Sequence, residues 1–334
     1  MVVRSVKMFI PPMTSKIKNP PTQKNKTKPS PRVKLSPHSS GMGGLQGGEK
    51  HHPSLRPVLS KKPLGQPTRG KTAPNRLRPT DTYLALCHAG FLRTLPGLYV
   101  DLGFGETPQT TLESAARLRR VNPDLHLLGV EIDPARVAAA RESIGHGIDF
   151  RRGGFNLPLR EGERAAIIRA MNVLRQYPEA EYSPSIEALA RCLCEEGLLL
   201  EGTSDPPGRL MAFHLYRRAG TETLPDGLVF SVRLQHPFSP RDLQAVLPKN
   251  LIHHAEPGSP LDRFFGEWET CWRRAFRRSP GDPRHCFVLA ATDLAADFGY
   301  LIDKRLTLLQ RGFLRLAAVP REEPIQPALI PVDL

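Results

Sequence analysis

Lysine is nearly absent from most of this chain: of its 334 residues, only Lys249 and Lys304 are lysines beyond position 80. Acids are just as scarce at the other end. Residues 1–80 hold one acid, Glu49, against seventeen Lys and Arg, while the rest holds thirty basic and thirty-two acidic residues. The net charge of +14 therefore belongs to the N-terminal segment, and the body offers no general basic field for nucleic acid. No apolar run reaches the roughly 18 residues of a membrane span, and Met1 to Pro11 is too short for a secretory h-region. Five cysteines, an odd number, do not suggest a disulfide framework and fit a reducing cytosol, so a cytoplasmic location is expected. Cys192-Leu193-Cys194 has one residue between its thiols, and His51-His52 and His253-His254 lack partners at ligand spacing. No metal is expected.

Residues 1–70 are rich in Pro, Lys, Ser, Thr and Gly and carry few apolar side chains, so they are expected to be a disordered tail. Their charge suits RNA, DNA or an anionic surface, but Phe9 is their only aromatic. A solvated tail, or an initiation codon placed too far upstream with Met13 and Met42 as later starts, is favoured over a nucleic-acid partner. Gly65 to Thr72 (GQPTRGKT) spells a phosphate loop, yet no strand precedes it, and Pro74 and Pro79 stand where its helix should run.

The body is more telling. Leu98-Tyr99-Val100 ends at Asp101 and a glycine turn, Gly103-Phe104-Gly105. Leu112, Ala115, Ala116 and Leu118 follow at helical spacing, and a second apolar run, Leu127 to Val130, ends at Glu131-Ile132-Asp133-Pro134. Strand, glycine turn, helix, strand and acid form one βαβ unit at the carboxyl edge of a parallel sheet, where an adenosine-type cofactor binds. The glycine spacing does not suit a dinucleotide, because Pro108 stands where the third glycine belongs.

Val100 to Gly105 instead resembles the first motif of class I S-adenosylmethionine-dependent methyltransferases, and Val130 to Pro134 resembles their second-strand motif. The resemblance covers roughly residues 71–240. It implies that the turn at Asp101, Gly103 and Gly105 passes under the methionine part of S-adenosyl-L-methionine. Thr107 stands beside that turn and is placed to cap the next helix. Glu131 would hold the ribose, with Ile132 and Asp133 beside it. Gly154 and Phe155, where many members have an acid, would meet the adenine. The loop after the fourth strand is the family's acceptor side. There Asn172, Arg175 and Tyr177 are the candidate catalytic residues, and the Asn/Asp-Pro-Pro-aromatic motif of many base and protein methylases is missing. Arg76 is a candidate partner for a carboxylate.

The expected fold is α/β: a doubly wound, mostly parallel, seven-stranded sheet over 71–240, a helical extension over 241–320 and a flexible end from 321 to 334. Leu261, Phe264, Phe265, Trp268, Trp272 and Phe276 recur at helical spacing as a core stripe. The expected function is in-line methyl transfer to a small-molecule acceptor. A non-catalytic S-adenosylmethionine-binding protein, or an RNA methyltransferase using the basic tail, are the alternatives.

Overall fold

The computed structural model describes residues 62–67 and 70–320. The expectations for residues 1–61 and 321–334 lie outside the described residues. Two helices, α1 (Arg78–Cys87) and α2 (Ala89–Arg93), lead into β1 (Leu98–Leu102). Pro79 opens α1, as its fixed φ allows. Asp81 lies inside α1 and is buried. Next come α3 (Gln109–Leu118), β2 (Leu127–Glu131), α4 (Pro134–Ala140), β3 (Ile148–Arg152) and β4 (Ala165–Met171). Then follow α5 (Tyr182–Ala190), β5 (Leu193–Ser204), β6 (Leu210–Ala219) and β7 (Glu222–Val232). The chain continues through α6 (Lys249–Ile252), α7 (Pro260–Arg278), α8 (Pro283–Phe298) and α9 (Leu306–Leu309) to β8 (Phe313–Leu316).

The sheet has eight strands among the described residues, in the order β3-β2-β1-β4-β5-β6-β7-β8. The first five are mutually parallel and the last three join antiparallel. Seven strands were too few, and the C-terminal region is not purely helical. Phe313-Leu314-Arg315-Leu316 pairs with Leu228–Ser231 and completes the sheet. Tight turns make β5, β6 and β7 consecutive hairpins. Asp205 closes the first by accepting from the Arg209 and Leu210 N–H groups at 2.6 and 3.1 Å.

Apolar layers cover both faces. Tyr99, Leu127, Phe150 and Ile167 pack with α1, α3 and α4, while Val100, Val130, Ile168 and Leu199 pack with α5. Farther along the second face, Phe230 meets Phe264, Phe265 and Trp268 of α7. The aromatic stripe of α7 is thus core up to Trp268, whereas Phe276 is exposed. No helix among the described residues is long and apolar enough to cross a membrane.

Four Asp, Glu or Arg side chains are buried within the described strands: Asp101, Glu131, Arg169 and Glu201. Arg169, in the run Ala-Ala-Ile-Ile-Arg-Ala-Met of β4, is wholly buried. It lies opposite Asp101 in the parallel register and binds it at 2.9 Å. Its Nη1 also donates to Asp81 at 2.9 Å and to Ser114 at 2.7 Å. Burial alone would lower the Arg169 pKa, but Asp101, with Tyr99 and Asp81, more than offsets it. Burial raises Asp81, against the pull of Arg169 and Arg117. Glu201 of β5 accepts from the Tyr182 hydroxyl at 2.8 Å, and its Oε1 has no hydrogen-bond partner among the described residues. Burial pushes its pKa up to about 8.

Candidate functional site

Strand order reverses between β1 and β4, and the carboxyl ends of both, with β2, open onto one crevice. That switch point is where open parallel sheets take their ligands. Gly103 and Gly105 sit there with φ of 74° and 90°, conformations that a side chain would strain. Glu131, at the end of β2, faces them. Its Oε2 accepts from the Gly105 N–H at 3.1 Å and its Oε1 from the Ile132 N–H at 2.8 Å. Arg136 lies 3.7 Å from the same carboxylate. Gly103, Glu131, Ile132, Gly154, Phe155 and Tyr177 all line one cavity.

The other expected site residues are placed differently. Asp101 accepts from the Thr110 and Thr111 hydroxyls at 2.7 and 2.8 Å and pairs with Arg169, so its carboxylate braces the turn from behind. Asp133 caps α4, accepting from the Ala135 and Arg136 N–H groups. Thr107 is exposed and caps nothing, because Pro108 takes the cap position of α3. Arg175 turns away and donates to the Ala245 carbonyl at 3.0 Å. Asn172 stands at φ 62°, a left-handed conformation that Asn tolerates better than most residues. Its Oδ1 accepts from the Ser204 N–H at 2.9 Å and from Arg76 Nη2 at 3.2 Å. Arg76, Asn172 and Ser204 thus join the ends of β4 and β5. Burial lowers the Arg76 pKa, with Asp205 opposing.

What covers the crevice could not be read from residue types. Residues 62–67, assigned to the tail, lie across it. The Leu64 carbonyl accepts from the Phe155 N–H at 2.8 Å, and the Leu64 N–H donates to Asn156 Oδ1 at 2.6 Å. Gln66 exchanges hydrogen bonds with the Tyr177 hydroxyl. Farther on, the Gly70 carbonyl accepts from the Glu106 N–H at 2.9 Å. A Cβ on Gly154 would stand 2.0 Å from the Leu64 carbonyl, and one on Gly105 would stand 2.5 Å from that of Gly70. The two glycines therefore make room for a flat, hydrogen-bonding occupant, and here the chain supplies its own. About 20 Å³ of cavity remains, against the roughly 300–1,000 Å³ of ligand sites. The tail boundary at residue 70 does not mark where packing begins. Among the described residues no strand precedes the phosphate-loop spelling, and the first helix after it starts at Arg78.

No family model and no curated protein matches the sequence. Among solved structures, the chain is similar to a magnesium protoporphyrin IX methyltransferase from Synechocystis with S-adenosylhomocysteine bound. That match has 20% identity and a TM-score of 0.29, over 38% of this chain and 54% of the other. The chain thus spans about half the length of that protein. An amino pentose methyltransferase from Micromonospora echinaspora with S-adenosylmethionine bound matches at 17% identity and a TM-score of 0.30, over 48% of this chain and 69% of the other. An N-methyltransferase from Bradyrhizobium japonicum matches at 15% identity and a TM-score of 0.27, over 39% and 68% of the two chains. Scores this low carry no argument about function, which rests on the site's own geometry.

Proposed function

We propose that this chain is an S-adenosylmethionine-dependent methyltransferase of class I type, binding its cofactor in the crevice between β1, β2 and β4. The observation that carries the reading is one cavity lined by the Gly103 turn, the buried acid Glu131 and the Gly154-Phe155 pair. The residues fit the group. Glu131 would accept from the ribose hydroxyls, and Phe155 would lie against the adenine with its N–H as donor. Gly105 and Gly154 leave the space that a Cβ would fill. When bound, the cofactor supplies a methyl group on a sulfonium, open to in-line attack.

For such a transfer the protein mainly has to align the acceptor and exclude water. A base is needed only where the acceptor must lose a proton. The acceptor side is the junction of Arg76, Asn172 and Ser204, with Tyr177 on the crevice wall against Phe155. Burial raises the Tyr177 pKa, so its hydroxyl stays protonated at neutral pH and serves as a hydrogen-bond donor rather than a base. Residues 62–67 and Gly70 have to leave the crevice first. That occupancy favours a second reading, a non-catalytic cofactor sensor.

Calorimetry with S-adenosylhomocysteine tests the reading. The full chain is expected to bind it. Glu131→Ala is expected to weaken binding by about 1–3 kcal/mol, the cost of unpaired buried hydroxyls. A chain starting at Lys71 is expected to bind more tightly than the full chain. Absence of binding by all three forms rejects the cofactor assignment, and equal affinity with and without residues 1–70 rejects competition by the covering segment. Transfer of labelled methyl to fractionated cell extract separates the enzyme from the sensor.

A further inference from the structure

A second cleft, of about 510 Å³, opens past the end of β7. Arg78, Arg233, Arg284 and Arg311 line it with His236, and no carboxylate is among its lining residues. The four arginines come from four places: the start of α1, the exit of β7, the start of α8 and the turn after α9. Arg78, Arg284 and Arg311 are exposed, and none pairs with an acid among the described residues. Arg233 donates to the Asn75 carbonyl at 2.7 Å. Burial lowers its pKa first and the nearby charge of Arg78 adds to this, with Asp205 opposing and Arg209 and Arg117 contributing. In a body whose charges otherwise balance, like charge is crowded in one concavity that no acid among the described residues lines, with Asp205 the acid that acts on Arg233.

The position is informative. β6 is antiparallel to both β5 and β7, so β7 runs with the parallel strands. Arg233, just past its end, is on the edge that carries Asn172 and Ser204. β7 lies three strands from β4, or roughly 14 Å at the usual spacing. The connection is direct. Arg233 holds the carbonyl of Asn75, and the next residue, Arg76, binds Asn172.

We propose that this cleft binds the phosphate or diphosphate group of a small phosphorylated methyl acceptor whose other end reaches toward the end of β4, three strands away. The assignment of the ligand as an acceptor rests on the methyltransferase reading; the phosphate site does not. Guanidinium groups match phosphate oxygens in pairs, and four of them converging on one cup suit a compact polyanion. A nucleic-acid backbone is met instead by a basic stripe along a surface.

The test is calorimetry of the full chain with inorganic pyrophosphate, without cofactor. Because residues 1–80 are themselves basic, the readout is the difference between the native chain and Arg284→Ala/Arg311→Ala. Both side chains are exposed, so the melting temperature is expected to stay unchanged. Pyrophosphate affinity is expected to fall at least tenfold in the double variant, while S-adenosylhomocysteine affinity stays the same. An unchanged pyrophosphate affinity overturns the site, as does citrate binding that is equally strong and equally sensitive. An oligoribonucleotide that loses more affinity than pyrophosphate overturns the compact ligand in favour of RNA. If pyrophosphate binds as expected while S-adenosylhomocysteine does not bind at all, the phosphate site stands and the methyltransferase reading falls.

Discussion

Arg169→Met is expected to lower the unfolding free energy by about 3–5 kcal/mol, the usual cost of removing one partner from a buried ionic network. Methionine fills much of the volume, so the loss reports charge and hydrogen bonding rather than a cavity. Without the guanidinium, Asp101 loses its ion-pair partner and Asp81 keeps only Arg117. Ser114 loses a donor, and so does the Thr110 carbonyl, which now accepts from Arg169 at 3.2 Å. Lysine restores one charge but not the planar fork that reaches several acceptors at once, so Arg169→Lys is expected to recover only part of the loss. Urea unfolding measures all three proteins, and a loss below about 1 kcal/mol for methionine would show that water or a shifted helix replaces the network. The effect also reaches the crevice, because Asp101 braces the turn at Gly103.

The second large effect depends on pH. Glu201 is held protonated in the fold with a pKa of about 8, against an ordinary 4.5 in the unfolded chain. The folded form therefore binds more protons across that window, and stability falls as pH rises. Below pH 4.5 this contribution is fully present, and above about 8 it is lost and the curve levels. Glu201→Gln mimics the protonated acid and keeps an acceptor for Tyr182. It is expected to remove this decline and leave the variant about 4–5 kcal/mol more stable than the native chain at pH 9, the order that a rise from 4.5 to about 8 represents. The difference in unfolding free energy between the two proteins, followed from pH 5 to 9, isolates Glu201 from other titrating groups. Parallel curves would place Glu201 in contact with water.

β1 and β2 were legible because each is a short apolar run closed by glycine or an acid, and β4 because it is apolar but for one residue; parallel strands buried on both faces leave that trace. The Gly103 turn and Glu131 could be read for the same reason: chemistry at a strand end is written next to the strand. Arg169 was missed although its signal is plain, a lone arginine in a run of seven otherwise apolar residues in β4. β8 was missed because four residues after a helical stretch are too few to show a period. Leu64 to Gln66 cover the crevice almost wholly through backbone carbonyl and N–H groups, and backbone contacts leave no mark on side-chain composition. Arg175 read as an acceptor-side residue because sequence gives the loop but not the direction in which its side chains turn.

The segment over the crevice is covalently part of the molecule, and that changes the rules of competition. A free inhibitor is relieved by dilution, whereas a tethered one is not. Its local concentration is fixed by the chain and is on the order of millimolar for short flexible connections. The measured affinity for any crevice ligand is then the intrinsic one reduced by the fraction of molecules with the segment lifted. Binding that must wait for lifting has a rate that rises with ligand concentration and then reaches a ceiling set by the opening step. Whatever else holds residues 62–67 and Gly70 outward would raise that ceiling and the affinity together, without touching the crevice.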